Sequence, residues 1–180
     1  MADALPGALP DESRTLRRAT QADAPAIHAL LAAAGEALAR QGFANWLPPY
    51  PLARLTSDVA ARDVYVVHER DAPAPLATFT LGRDPVRPYD PAPWPRPDAP
   101  ALYLNRLAVD PARQGHGIGA WCLARIDRLA REAGAVALRA DVLAANAALC
   151  AFYERRGWIA RGERAHSGWT FTCYERSLDG

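Results

Sequence analysis

The run Arg113-Gln114-Gly115-His116-Gly117-Ile118-Gly119-Ala120 follows an apolar stretch, residues 102–109, and opens an amphipathic segment. A strand, a glycine-rich turn and a helix N-terminus in that order make an anion-binding cradle. Three alternating glycines remove the Cβ atoms that would hold a ligand off the main chain, and the unpaired N–H groups of the first helical turn point at it. Phosphate is the natural guest of such a site. The letters alone also satisfy the dinucleotide fingerprint G-x-G-x-x-[G/A], and Asp141 stands near the end of the next strand, where a ribose-binding acid is wanted. Two features oppose that reading. Five residues, 110–114, separate the strand from the first glycine. The preceding strands are joined by a short hairpin, which parallel strands cannot use.

Working outward, residues 14–19 suit a first strand, and Thr20, Asp23 and Pro25 supply helix-start chemistry. Ile27, Leu30, Leu31, Ala34 and Leu38 recur at three- and four-residue steps, which predicts a helix over 24–40 that ends at Gly42. Leu52, Leu55 and Val59 suggest a second short helix. Residues 64–69 and 75–81 read as an antiparallel hairpin. The stretch 84–100, with Pro85, Pro88, Pro91, Pro93 and Pro95, reads as a long loop carrying Tyr89 and Trp94. After the glycine run come a helix over about 117–133, a strand over 136–142, a helix over 146–156 and two strands, 158–161 and 169–177. The order β-α-α-β-β-β-α-β-α-β-β is mixed α/β.

Composition narrows the function. Net charge is +1, with 21 basic and 20 acidic residues spread along the chain, which is no footprint for nucleic acid or a membrane surface. Every basic residue is arginine. Without lysine a Walker-type NTPase is excluded, and with the abundant alanine and proline this usage reflects a high-GC coding bias. Cys122, Cys150 and Cys173 have neither C-x-x-C nor metal-ligand spacing, so they read as reduced thiols and no metal is expected. Residues 1–13 read as a disordered, acidic, proline-interrupted start unlike a signal peptide, and no apolar run approaches the ~20 residues of a membrane span. A cytoplasmic location is the expectation.

The pattern Gln114-Gly115-His116-Gly117-Ile118-Gly119 resembles the Arg/Gln-x-x-Gly-x-Gly/Ala pyrophosphate loop of the GNAT-type N-acetyltransferases. "YLNRLAVDP", residues 103–111, is similar to that family's bulged fourth strand. Residues 146–158, "NAALCAFYERRGW", resemble its second signature N-x-x-A/L-x-x-F-Y-x-x-x-G-F, with Trp158 in place of the usual phenylalanine. The resemblance covers residues 14–177. It implies one N-acetyltransferase domain over 14–180, with a mixed, mostly antiparallel sheet of six to seven strands, about four helices, and a splay between strands 4 and 5.

The chemistry implied by the resemblance is acetyl transfer from acetyl-CoA, as co-substrate, to a primary amine by direct attack in a ternary complex. Pantetheine would lie in the splay and bond to the main chain of Leu107, Ala108 and Val109, which requires a bulge that frees those groups. The Val109 N–H would be an oxyanion donor. Gln114, Gly115, His116, Gly117, Ile118, Gly119 and Ala120 would hold the pyrophosphate, and Asn146 would orient the pantetheine. Tyr153 would protonate the departing thiolate, although from spacing alone it equally reads as a core aromatic. Asn105 stands where many relatives carry a glutamate or histidine base, and an amide cannot accept a full proton. Asn105 would position a water or the amine, and deprotonation would fall to bulk solvent, a water chain, or another residue such as Glu36, His166 or Glu175. The variable segments around Trp46 and Tyr50, around Tyr89 and Trp94, and at 166–169 would shape the acceptor site, or pack under irregular loops. Glu36 is grouped with Trp46 and Tyr50 as substrate-binding. The partners implied are a small-molecule or peptide amine and, as is common in the family, a second copy in a homodimer. A non-catalytic acyl-CoA-binding module of the same fold is the alternative that Asn105 motivates.

Overall fold

The computed structural model describes residues 13–70, 72–85, 89 and 92–179. The expected disordered start, apart from Ser13, and two of the loop prolines, Pro88 and Pro91, lie outside the described residues. Eleven elements follow one another: β1 Arg14–Arg18, α1 Ala24–Arg40, α2 Leu52–Ala61, β2 Asp63–Glu69, β3 Pro75–Gly82, β4 Ala101–Val109, α3 Ile118–Glu132, β5 Ala137–Leu143, α4 Ala147–Glu154, β6 Ile159–His166 and β7 Trp169–Ser177. The strands form one seven-stranded sheet in the order β1-β2-β3-β4-β5-β7-β6. β1 and β2, β5 and β7, and β6 and β7 pair antiparallel, while β4 and β5 pair parallel. The parallel ladder runs from Ala101↔Ala137 to Leu104↔Ala140 and ends there, although β4 continues to Val109 and β5 to Leu143. Among the described residues no helix is long and apolar enough to cross a membrane.

The chain falls into two compact units, one through Thr80 plus Arg106–Ala124, the other Leu81–Asn105 plus the chain from Arg125 on. In the first unit, α1 starts behind a brace in which the Thr20 N–H and hydroxyl donate to Asp23 at 2.7 and 2.9 Å, while Arg17 grips the same carboxylate. The periodic face of α1 buries Ile27, Leu31 and Ala34 against Leu55 of α2, Val64 and Val66 of β2, and Ala108 of β4. Each large aliphatic side chain taken out of water there contributes about 1.5–3 kcal/mol.

The second unit is built on β5 and β7, whose register runs from Ala137↔Ser177 to Leu143↔Phe171. Arg139 of β5 is 1% exposed. It is tolerated because every part of its guanidinium has a partner: Glu175 at 3.1 Å, the Tyr103 hydroxyl at 3.0 Å, and the carbonyls of Pro97 at 3.1 Å and Arg96 at 2.6 Å. A buried charge left unpaired would cost several kcal/mol. Arg139 also lies over the rings of Trp94 and Tyr103, so it fixes the end of the proline-rich loop to the sheet.

Two elements differ from the sequence reading by more than one residue at an end. β6 runs to His166 and not only to Arg161, because a two-residue turn closes the hairpin at His166↔Trp169. Its residues Ser167 and Gly168 have φ of 50° and 79°, the primed geometry whose twist matches the strands. Residues 162–166 are polar and largely exposed, so no apolar alternation announces this extension. α4 is shorter than 146–156. Asn146 is its cap, and Arg155 already leaves the helix ahead of Gly157 at φ +76°.

Candidate acyl-transfer site

In the first unit, β4 passes through Arg106 at φ +54°. A side-chain-bearing residue is uncommon there, and it marks a local irregularity in β4 just ahead of Leu107, Ala108 and Val109. Ala108 is buried in the core, with Leu107 and Val109 half-buried. β4 ends as the Asp110 N–H donates to Leu76 O at 2.9 Å, and the Asp110 carboxylate accepts from the Ala112 N–H at 3.0 Å. Gly115 and Gly117 then take φ of +82° and +74°. An added Cβ at either would meet nothing within 4 Å, so the space above both is open. Glycine is needed here for its backbone angle, since an L side chain in this region costs ~1–2 kcal/mol.

The first bond of α3 runs from the Trp121 N–H to Gly117 O at 3.0 Å. The N–H groups of Ile118, Gly119 and Ala120 therefore precede the helical ladder and have no intrahelical acceptor. Buried Ile118 pins the helix start, while Gln114, Gly115, His116 and Gly117 are exposed. Such an open, donor-lined turn fits a pyrophosphate.

Charges frame the turn. Arg113 grips Glu69 with two bonds, 2.8 and 2.9 Å, and this partner holds the Glu69 carboxyl below the usual range. Arg14 lies over the Trp121 ring, and its Nη2 approaches His116 O at 3.4 Å. His116 turns its Nδ1 back on the loop, 2.9 Å from Gln114 O and 3.2 Å from Arg113 O.

Trp46, Tyr50 and Glu36 also belong to this unit. Trp46 crosses so close to α1 that a Cβ on Gly35 would be 3.3 Å from its own. The Tyr50 hydroxyl donates to Asp58 Oδ2 at 2.7 Å, beneath the Arg106 guanidinium. Burial, then that bond, raise the Tyr50 phenol above its ordinary pKa. Trp46 and Tyr50 are half-buried and Glu36 is exposed.

In the second unit, Asn105 is half-buried and its Nδ2 donates to Tyr103 O at 3.3 Å. Asn146 is 7% exposed. Its Oδ1 caps α4 by accepting from the Leu149 N–H at 3.0 Å. Tyr153, two turns further on, is 6% exposed. Its ring meets Phe152 and Trp158 edge-on at 5.6 and 5.2 Å and stacks on Tyr174 at 6.0 Å. The core-aromatic description is therefore true of the ring, whatever the hydroxyl does. Tyr174 itself donates to Glu154 at 2.7 Å, and burial with that bond pushes its phenol up.

The remaining candidates are occupied. Glu175 is buried and held by Arg139 at 3.1 Å and Arg161 at 3.4 Å, so its carboxylate is committed to two arginines. The His166 Nε2 lies 2.7 Å from Ser167 Oγ. Trp94 is 4% exposed and packs edge-on against Tyr89 at 5.0 Å, as residues under an irregular loop do. Asp141 accepts from the Tyr89 hydroxyl at 2.6 Å and pairs with Arg164 at 3.6 Å, which are structural ties and not those of a ribose acid. Sequence reading missed Arg14, Asp58, Arg106 and Arg139. The signal for the three arginines was a basic residue set in a strand pattern, since charged groups enter such strands only when partnered; Asp58 lies on α2.

The profile of the Acetyltransferase (GNAT) family matches residues 31–158. No curated protein is a significant match in sequence. Among solved structures, yncA from Salmonella typhimurium, determined with its cofactor acetyl-CoA, superposes with a TM-score of 0.65 at 22% identity, over 93% of this chain and 95% of that one. A GNAT-family acetyltransferase from Listeria monocytogenes gives 0.75 at 20% identity, over 91% and 94%. The ribosomal-protein-S18-alanine N-acetyltransferase of Escherichia coli gives 0.68 at 18% identity, over 93% and 95%. At these identities the likeness is one of fold.

Proposed function

Because this chain belongs to the GNAT family of acetyltransferases, we propose that it moves an acetyl group from acetyl-CoA to a primary amine by direct attack in a ternary complex. Residues 14–180 act as its N-acetyltransferase domain. Acetyl-CoA, when bound, supplies an acyl group already activated as a thioester. The N–H groups of residues 114–120 hold the pyrophosphate, and the main chain of Leu107, Ala108 and Val109 holds the pantetheine arm. The Val109 N–H draws charge from the thioester carbonyl. Asn146, which caps α4 through its Oδ1, orients the pantetheine. Tyr153 returns a proton to the departing sulfur from its phenol hydroxyl. Asn105 accepts a hydrogen bond from the amine or from a water, and bulk solvent removes the amine proton.

The observation that carries this reading is the open turn at Gly115 and Gly117, followed by helix-start N–H groups with no intrahelical acceptor. The free thiols Cys122, Cys150 and Cys173 suit a reducing cytoplasm. Thiol release from acetyl-CoA, measured against amino acids, polyamines, aminoglycosides and peptide N-termini, tests it. Turnover with one class, abolished by Gly117→Glu, is the expected result. Tight acetyl-CoA binding by Gly117→Glu would remove the loop assignment.

One observation favours a second reading. The amide of Asn105 donates to Tyr103 O, and no carboxylate replaces it on β4. An acyl-CoA-binding module would show affinity in the same assay and no turnover with any amine.

A further inference from the structure

The carbonyls of the glycine turn are tied down on one side. Gln114 O and Arg113 O both lie against His116 Nδ1, at 2.9 and 3.2 Å, and His116 O lies against Arg14 Nη2 at 3.4 Å. A carbonyl oxygen only accepts, so the His116 Nδ1 carries the hydrogen in both contacts. A trans peptide is planar, with its C=O and N–H pointing in opposite directions. Holding Gln114 O therefore sends the Gly115 N–H the other way, and holding His116 O does the same for the Gly117 N–H.

We propose that Arg14 and His116 are positioning residues that pre-set the Gly115 and Gly117 N–H groups as an anion nest for the pyrophosphate. The proposal rests on the reading of residues 114–120 as the pyrophosphate loop. Without the two ties, each of these peptides could rotate, glycine being free on both sides of φ, and the ligand would have to order the turn as it bound. Ordering on binding is subtracted from affinity.

Arg14 is built for the task. It is 8% exposed, its guanidinium lies over Trp121 in the first turn of α3, and its Nε is buried with no hydrogen-bond partner among the described residues. The 3.4 Å contact is long for a hydrogen bond. Its value lies in direction and charge. Arg14 and Arg113 both act on the carboxylate of Glu69, which sits opposite Arg14 in the β1–β2 register. His116 is exposed, so its role is local and its substitution leaves the core untouched.

The test compares Arg14→Met, His116→Phe and His116→Asn, the last keeping a side-chain N–H donor. Calorimetry with coenzyme A should show binding about tenfold weaker, ~1.4 kcal/mol, in Arg14→Met and His116→Phe, and largely recovered in His116→Asn. KM for acetyl-CoA should rise by a like factor with kcat unchanged. Acetyl-pantetheine, which lacks the pyrophosphate, should be used as well by the variants as by the parent. Equal coenzyme A affinity in parent and His116→Phe overturns the proposal, as does an equal loss with acetyl-pantetheine, which would mark a general structural defect. A parent protein that does not bind coenzyme A at all overturns the loop reading itself, a result distinct from the other two.

Discussion

Arg106 reaches from β4 to α2, where its Nη1 lies 2.9 Å from Asp58 Oδ2 and its guanidinium carbon 4.6 Å from the centre of the Tyr50 ring. Asp58 faces Arg54 and Arg62 as well, at 3.8 and 3.7 Å, so one carboxylate serves three cations and a phenol. The Arg106 and Asp58 side chains are only 17% and 9% exposed. Removing one member of such a pair strands the other. Asp58→Asn should lower unfolding free energy by about 3 kcal/mol in urea titrations, and release the Tyr50 segment. Arg106→Gly should cost less than Asp58→Asn, because relief of the left-handed backbone returns ~1–2 kcal/mol. Equal stability of Asp58→Asn and the parent would remove the cluster from the structural account.

Tyr153→Phe separates the ring from the hydroxyl. The edge-on and stacked contacts survive, so the fold and coenzyme A affinity should stay within twofold of the parent by the rule that isosteric core changes are tolerated. Turnover should fall by about a hundredfold or more, the usual contribution of a positioned acid. Undiminished turnover would take Tyr153 out of the proton path.

The thiols give a pH prediction. Burial pushes Cys122 and Cys173 up to about 12, against an ordinary thiol at ~8.5. A group raised in the folded state stabilises fully below its unfolded pKa, and that contribution is lost as pH rises through the folded value. Stability should therefore decline above pH ~8.5 as the unfolded thiols ionise. Ellman's reagent should label no more than Cys150 in the native protein at pH 8, and all three thiols after denaturation. Rapid native labelling at more than one position would contradict the burial.

Gly157→Ala tests the corner after α4. A Cβ there would stand 2.7 Å from Arg176 Nη1, which donates to Arg156 O. The end of Arg176 is held by Asp127 at 2.9 Å as well, so a displaced guanidinium adds to the backbone strain at φ +76°. Loss of about 1–2 kcal/mol is expected by thermal or urea unfolding. A variant as stable as the parent would show that the corner relaxes to another conformation.

The sequence showed what is local. Helix α1 was readable from its three- and four-residue apolar steps, the glycine turn from its letters, and Asn146 with Tyr153 from one contiguous signature. What it did not show depends on distance along the chain. Arg14 and His116 are 102 residues apart, and Arg139 meets Pro97 and Glu175 over 42 and 36 residues. No window of sequence contains both ends. Glu175 looked available as a base because its two arginines are remote or on another strand. The extension of β6 is hidden for a different reason: a strand largely exposed along its length has no apolar period to read.

The tie between Arg14 and the glycine turn also bears on where the molecule can be cut. The family match spans residues 31–158 and includes every signature residue. A fragment trimmed to those limits would lose β1 with Arg14, and also β7, which contributes Tyr174 under Tyr153 and Glu175 beside Arg139. It would spell the motif in full and lack the braces that shape it. The unit of recognition in sequence is thus shorter than the unit of folding, and expression should start no later than Ser13 and run through Leu178, whose N–H donates to Val136 O at 2.9 Å.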